Sequence, residues 1–198
     1  MRRIACLSLF FIFPFPVMST GIEPQQLRQL AKDYPEYLSD SVVVINIATQ
    51  KLAYYHDGIL RAKYPISSAK NGVGNKEHSG KTPTGIHYVR EKIGAGTAIG
   101  TIFNARLDTG KLAEIEAKSR HTGEDLITTR ILWLSGLESG VNLGPGVDTY
   151  KRYIYIHGTH EEGLIGQPVS HGCVRMRNQD IVELFDQLSE KALVLIHP

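Results

Sequence analysis

The sequence lacks the features that mark several large classes of protein. Its 198 residues include 2 cysteines, Cys6 and Cys173, so at most one internal bridge is available. No run of five basic residues occurs and the formal net charge is only +2. A nucleic-acid partner calls for a concentrated basic stripe, so that class is set aside. No repeat, low-complexity tract or long linker interrupts the chain. What is present is an ordinary globular composition, 42% hydrophobic and 21% charged, with 19 Gly and 9 Pro. That suits one domain with a single well-buried core.

The N-terminus departs from this pattern. Arg2 and Arg3 are followed by the uncharged stretch IACLSLFFIFPFPV and then by small residues around Ser19. These three parts make a secretory signal over 1–19, too short and too broken by proline to be a comfortable bilayer span. The expectation is a protein exported to the periplasm or cell wall, with no stable membrane span once the signal is removed. Cys6 leaves with the signal, and Cys173 then stands alone in a compartment where cysteines are usually paired. It is either inert and buried or present for its chemistry.

Residues 20–40 read as a lead-in carrying a short helix, because Leu27, Leu30, Ala31 and Tyr34 recur at i, i+3, i+4, i+7. From residue 41 to 198 the pattern is mainly β. SVVVINIA, KLAYYHD and ILRAKYPIS are β-branched and aromatic runs, the last two joined by Asp57-Gly58 as a hairpin turn. A polar glycine-rich loop over 70–85 precedes a strand at IHYVREKI. KLAEIEAK at 111–118 suggests a short helix. ITTRILWLSG and RYIYIHG are further strands; in the second, Ile154 and Ile156 should share one face and Tyr153, Tyr155 and His157 the other. NQDIVELFDQL is a helix with Asn178 as N-cap and Ile181, Leu184, Phe185 and Leu188 on its buried stripe. ALVLIH closes the chain as a strand.

Two tempting motifs fail. In GNKEHSGKT five residues separate Gly74 from Gly80 where a phosphate loop needs four, and Pro83 opposes the helix that would follow. In GAGTAIG, Ile99 occupies the place of the third glycine of a dinucleotide fingerprint.

The segment from His157 to Met176, HGTHEEGLIGQPVSHGCVRM, concentrates the reactive side chains. A cysteine nucleophile needs a base, oxyanion donors and exposure. His157 or His171 could be the base, and spacing does not choose between them. A thiolate–imidazolium pair with a lowered thiol pKa is expected. No acid is an obvious partner for His157, so a backbone carbonyl just after it is the expected orienting group. Gly158 would let the chain turn sharply. Gly172 would let the backbone approach a substrate carbonyl, its amide and that of Cys173 serving as oxyanion donors. Ser170 and His171 could tie the turn together, and the Arg175 fork suits a substrate carboxylate. Zinc is the competing use of His157, His160, His171 and Cys173, but H-x2-H with H-x-C is not a usual zinc spacing, and the reading adopted is no metal.

These residues also carry a resemblance. His157-Gly158-Thr159 followed by Ser170-His171-Gly172-Cys173-Val174-Arg175-Met176 resembles the L,D-transpeptidase catalytic domain, the YkuD family, as do the upstream KTPTG and YPIS and the helix at 178–186. The resemblance implies mixed β-sheets in a sandwich or pseudo-barrel with peripheral helices and no cofactor. It also implies Cys173 as nucleophile, His157 as general base, and Ser170, His171 and Gly172 as residues shaping the site. Many members have asparagine where Arg175 stands. The implied partners are peptidoglycan stem peptides and, for some acceptors, a wall-linked lipoprotein. The acyl group could instead pass to water, which would make the enzyme an L,D-carboxypeptidase or amidase.

Overall fold

The computed structural model describes residues 24–198, so the secretory signal read from 1–19 lies outside the described residues. A helix, α1 (Pro24–Asp33), leads into three meandering strands, β1 (Leu38–Asn46), β2 (Lys51–His56) and β3 (Ile59–Pro65). Asp57 (φ +53) and Gly58 (φ +72) both occupy the left-handed region that a tight hairpin turn requires, as their sequence predicts. After the loop at 66–84 come β4 (Gly85–Ile93), the short hairpin β5 (Thr101–Asn104) and β6 (Leu107–Leu112), and the long β7 (Ile127–Gly136). The chain closes with β8 (Tyr155–Gly158), β9 (Val174–Met176), α2 (Asn178–Gln187) and β10 (Ala192–His197).

All ten strands join one mixed sheet in the order β3-β2-β1-β10-β4-β7-β5-β6, with β8 and β9 branching from β7. β1 and β10 run parallel and sit at the sheet's centre, so β1 is apolar on both faces. Val43 and Ile45 point into the larger cluster beneath α2, and Val42 and Val44 into a smaller one beneath α1. α2 contributes Ile181, Leu184 and Phe185 to the larger cluster, and Leu188 follows just beyond its end. Full burial of such side chains stabilises by about 1.5–3 kcal/mol each.

The branch positions the site. Thr129 has φ +68, and the register between β7 and β8 shifts between Thr128 and Ile131. Beyond this break β7 exchanges β4 for β5 as its neighbour, Thr128 pairing with Ile102. β8 runs along β7, and β9 lies parallel to β8 with His157 opposite Arg175.

Several expectations change. KLAEIEAK is not a helix: Lys111 and Leu112 end β6 and an irregular segment follows. Its apolar residues are largely exposed, Leu112 at 63% and Ile115 at 38%, so helical periodicity finds no core to bury against. Tyr153 is excluded from β8 by φ +56 and lies 54% exposed. Asn178 does not cap α2; it is the first helical residue, and Arg177 takes the cap position without a side-chain bond. Glu162 Oε1 accepts from the Asn178 backbone N–H at 2.8 Å instead. Among the described residues no helix is long and apolar enough to cross a membrane.

Candidate active site

β8 and β9 sort their side chains by the alternation of a strand. Ile156, Val174 and Met176 enter the main core, whereas Cys173 packs on the opposite face against Phe103, Ile131, Trp133 and Tyr155. His157 follows Tyr155 by two residues and shares that face. One step back along the β8–β9 register, the Tyr155 N–H points at Cys173 Sγ (3.4 Å), and the thiol faces the Tyr153 carbonyl (3.4 Å). The sulfur is half-buried. Trp133 stacks on Tyr150 at 4.0 Å and on Tyr153 at 5.7 Å, so these aromatics form a wall beside it.

His157 is 1% exposed, and its Nδ1 lies 2.8 Å from the Gly158 carbonyl oxygen. A carbonyl only accepts, so the proton is on Nδ1 and Nε2 carries a lone pair. The orienting backbone carbonyl expected for this histidine is therefore present. Burial lowers the His157 pKa to about 4, against the opposing pull of Asp125 and the Gly158 carbonyl. Burial likewise pushes the Cys173 thiol up to about 12, although the Tyr155 N–H and the Arg175 and Arg152 charges favour the thiolate. Both directions favour a neutral thiol and a neutral imidazole on this face. The direction runs against the expected preformed ion pair: desolvation in the apolar wall opposes the thiolate more than the nearby donors favour it.

The turn before the thiol is built as its composition suggests. Gly172 has φ +142, which other residues rarely adopt. Ser170 Oγ donates to the Cys173 carbonyl at 2.6 Å and accepts from the Gly172 N–H at 3.2 Å. Of the two amides expected as oxyanion donors, that of Gly172 is thus engaged by Ser170. Thr82, from KTPTG, donates to the Gly172 carbonyl at 3.0 Å and accepts from the Ala69 N–H at 3.0 Å, linking the upstream segments to the thiol turn. Gly158 makes no turn. It lies inside β8, and a Cβ there would come within 2.6 Å of Asn178 Oδ1 and 2.7 Å of the Thr128 carbonyl. Close approach, not flexibility, requires glycine at this position.

Arg175 departs most from expectation. It is 2% exposed; its Nη2 meets Asp125 Oδ1 at 2.6 Å and its Nη1 meets Glu161 Oε2 at 3.0 Å. The fork expected to be free for a substrate carboxylate is occupied by two carboxylates of the chain. Asp125 also accepts from His171 Nδ1 at 2.6 Å, so His171 is drawn to the surface, 64% exposed, and not into the turn. Burial pushes the Asp125 carboxyl up, but the Arg175 charge and the two imidazoles outweigh it and hold its pKa below the usual range. Glu161 is lowered too: burial raises it, and the Thr122 donors and Arg175 prevail.

Asp125, Glu161 and Asn178 were not singled out for the site by sequence reasoning. Asn178 Oδ1 accepts from Thr128 Oγ1 at 2.6 Å and Nδ2 donates to the Thr159 carbonyl at 2.8 Å, so this buried amide ties β7 to the end of β8. Asp125 sits in a polar stretch without periodicity, and only its charge complementarity to Arg175 offers a signal. His160 Nε2 pairs with Thr122 Oγ1 at 2.7 Å, away from the thiol turn.

A large mixed sheet presenting Cys173 and the buried His157 on a common face defines a β-rich domain with a candidate thiol–imidazole site. The sequence model of the YkuD family, L,D-transpeptidase catalytic domain, matches residues 40–196, and the chain belongs to that family. Among its curated relatives, the Escherichia coli (strain K12) protein named Probable L,D-transpeptidase YcfS is 29% identical over 148 residues, covering 74% of this chain and 41% of that protein. YbiS of the same strain, also named Probable L,D-transpeptidase, is 54% identical over 37 residues, 19% of this chain and 12% of that protein. The chain thus spans about two fifths of YcfS. Among solved structures, L,D-transpeptidase 3 from Mycobacterium tuberculosis, in complex with a faropenem-derived adduct, superposes with a TM-score of 0.51 at 15% identity, covering 80% of this chain and 60% of that one. That likeness shows a shared fold.

Proposed function

We propose that the chain is an exported peptidoglycan L,D-transpeptidase with Cys173 as nucleophile and His157 as general base. One observation carries the choice of base. His157 shares the sulfur's face of β8–β9 with Nδ1–H fixed on the Gly158 carbonyl, whereas His171 is turned outward to Asp125. A neutral Nε2 is then ready to take a proton at pH 7.

The reaction begins from the neutral pair. Cys173 sulfur attacks the carbonyl carbon joining the third stem residue to the terminal D-Ala, and its proton passes to His157 Nε2. The C–S bond forms while the carbonyl electrons move onto oxygen, where the Cys173 amide is the remaining donor of the expected pair. Collapse breaks the C–N bond, and the departing D-Ala amine takes the proton from His157, leaving a thioester. A side-chain amine of a second stem peptide attacks the thioester and yields its proton to His157. The departing sulfur recovers that proton, and the product is a 3→3 cross-link. A lipoprotein amine in the same role gives wall attachment. Thioesters favour aminolysis over hydrolysis more than oxygen esters do, which suits a transferase working in water. Ser170, Gly172 and Gly158 shape the turn and the strand, and Arg175 is a positioning residue held by Asp125 and Glu161.

Intact-protein mass spectrometry with a tetrapeptide-bearing muropeptide and with a carbapenem tests this reading. The expected result is an acyl adduct on the wild type that is absent from Cys173→Ala; an equal adduct on both proteins rejects it. Release of peptide at the same rate with and without an acceptor amine would assign hydrolysis instead.

A further inference from the structure

With Arg175 buried between two carboxylates, Arg152 is a cation near the thiol that lines an open cavity. We propose that Arg152 forms an anion subsite receiving a carboxylate of the donor peptide; this rests on the reading of the chain as a peptidyl transferase. The residue lines a cavity of about 320 Å³ with Glu77, His78, Lys151, Tyr153 and His171. That is the small end of the range for ligand pockets, about 300–1,000 Å³. Cavity and sulfur share a wall. The Tyr153 carbonyl is 3.4 Å from Cys173 Sγ, and Ile154, which also lines the cavity, would lie 3.4 Å from a Cβ on Gly172.

The guanidinium is fixed before any ligand arrives. Nη1 donates to the Gly74 and Asn75 carbonyls at 3.2 and 3.0 Å, and Nη2 to the Lys81 carbonyl at 2.6 Å. Carbonyls orient the group without neutralising it, and among the described residues Arg152 makes no ion pair. An arginine has five N–H donors, so three such bonds leave Nε–H and one Nη2–H. Tyr153 takes φ +56 directly after it, a strained turn that faces Arg152 into the cavity while the chain enters β8. Lys151 adds a second positive charge against the single negative charge of Glu77, so the lining suits one carboxylate. Two groups of a donor peptide have that chemistry: the C-terminal carboxylate of the leaving residue, and a side-chain carboxylate on the third residue.

Two measurements on wild type and Arg152→Gln test the subsite. In the first, acylation of Cys173 is compared for a tetrapeptide donor, its C-terminal amide, and the donor amidated on the third side chain. One amidation should slow the wild type by about tenfold to a hundredfold and leave R152Q unaffected, identifying which carboxylate is bound. Amidations that are harmless to the wild type, or equally harmful to both proteins, overturn the proposal. In the second, the rate ratio of iodoacetate to iodoacetamide at Cys173 is divided by the ratio for free N-acetylcysteine. It should fall several-fold in R152Q, and this readout needs no peptide chemistry. Where the peptides react, their pattern decides; where none reacts, the ratio decides, a fall supporting the subsite while the peptidoglycan reading fails, and an unchanged ratio overturning the subsite too. Should R152Q not fold, equal acylation of the wild type by free and amidated donors still overturns the proposal.

Discussion

The carboxylate of Asp125 lies 2.6 Å from the guanidinium of Arg175, joining an irregular surface segment to a residue 2% exposed beside the thiol. The same carboxylate holds His171, and its charge is felt at both His157 and Cys173. Removing one partner of a buried pair costs about 3–5 kcal/mol. Asp125 is 30% exposed and Arg175 keeps Glu161, so Asp125→Asn is expected to cost less, about 1–3 kcal/mol, closer to the worth of charged hydrogen bonds. The electrostatic sign is definite. Asp125 raises the thiol pKa, so D125N should move the pH profile of Cys173 alkylation to lower pH. A lower denaturation midpoint with an unmoved profile would make Asp125 merely structural.

The resting pair gives a second prediction. With the thiol pushed up to about 12 and His157 lowered to about 4, the protein should show no thiolate at pH 7. The ultraviolet difference spectrum of wild type minus Cys173→Ala should stay flat until well above pH 9. A thiolate band titrating near pH 6 would restore the ion pair and remove the general-base step. Replacing His157 with Gln should reduce acylation by about 10²–10⁴-fold, because no other imidazole on the sulfur's face can take the proton.

What the sequence disclosed and what it withheld divide along contact distance. The hairpin at Asp57-Gly58, the stripe of α2 and the Ser170–Cys173 turn depend on neighbours in the chain, so composition and period reveal them. Arg175 reads from sequence as a free fork because its partners lie 14 and 50 positions away, at Glu161 and Asp125. Asn178 reads as a cap for the same reason: its side chain answers to Thr128 and Thr159, which only the packing of β7 against β8 brings near. KLAEIEAK has helical spacing but no apolar surface to cover, and tertiary context overrides propensity.

Close packing makes Gly158 a sharp test of the site's framework. A methyl group there must displace Asn178 Oδ1 at 2.6 Å or the Thr128 carbonyl at 2.7 Å, and the second is backbone in a central strand. Gly158→Ala should therefore cost about 1–3 kcal/mol by overpacking. It should also lower acylation, since the same carbonyl that positions His157 belongs to this residue. An unchanged denaturation midpoint would show that β8 can shift without penalty.

Buried neutral histidines make the fold sensitive to acid. His87 is completely buried, with Nδ1 against the Gly85 carbonyl at 3.0 Å and Nε2 against Thr149 Oγ1 at 3.1 Å. Burial lowers its pKa to about 4, as it does for His157. Between the ordinary value of 6.5 and about 4, the unfolded chain binds protons that the folded chain refuses. Stability therefore falls as pH drops through that window, by up to about 1.4 kcal/mol per pH unit for each histidine. Below it Asp125 and Glu161, held under their usual range, carry the loss further as they are protonated in turn. At the other end the raised Cys173 thiol contributes stability that is complete below pH 9 and is lost as pH rises toward 12. Urea midpoints should hold from pH 8 to about 6.5, decline from there to pH 4, and decline again above pH 9, and Cys173→Ala should flatten only this alkaline limb. A midpoint constant from pH 7 to pH 5 would mean that both imidazoles titrate in the fold as they do in the unfolded chain, near 6.5, and would remove the burial-driven lowering assigned to His87 and His157.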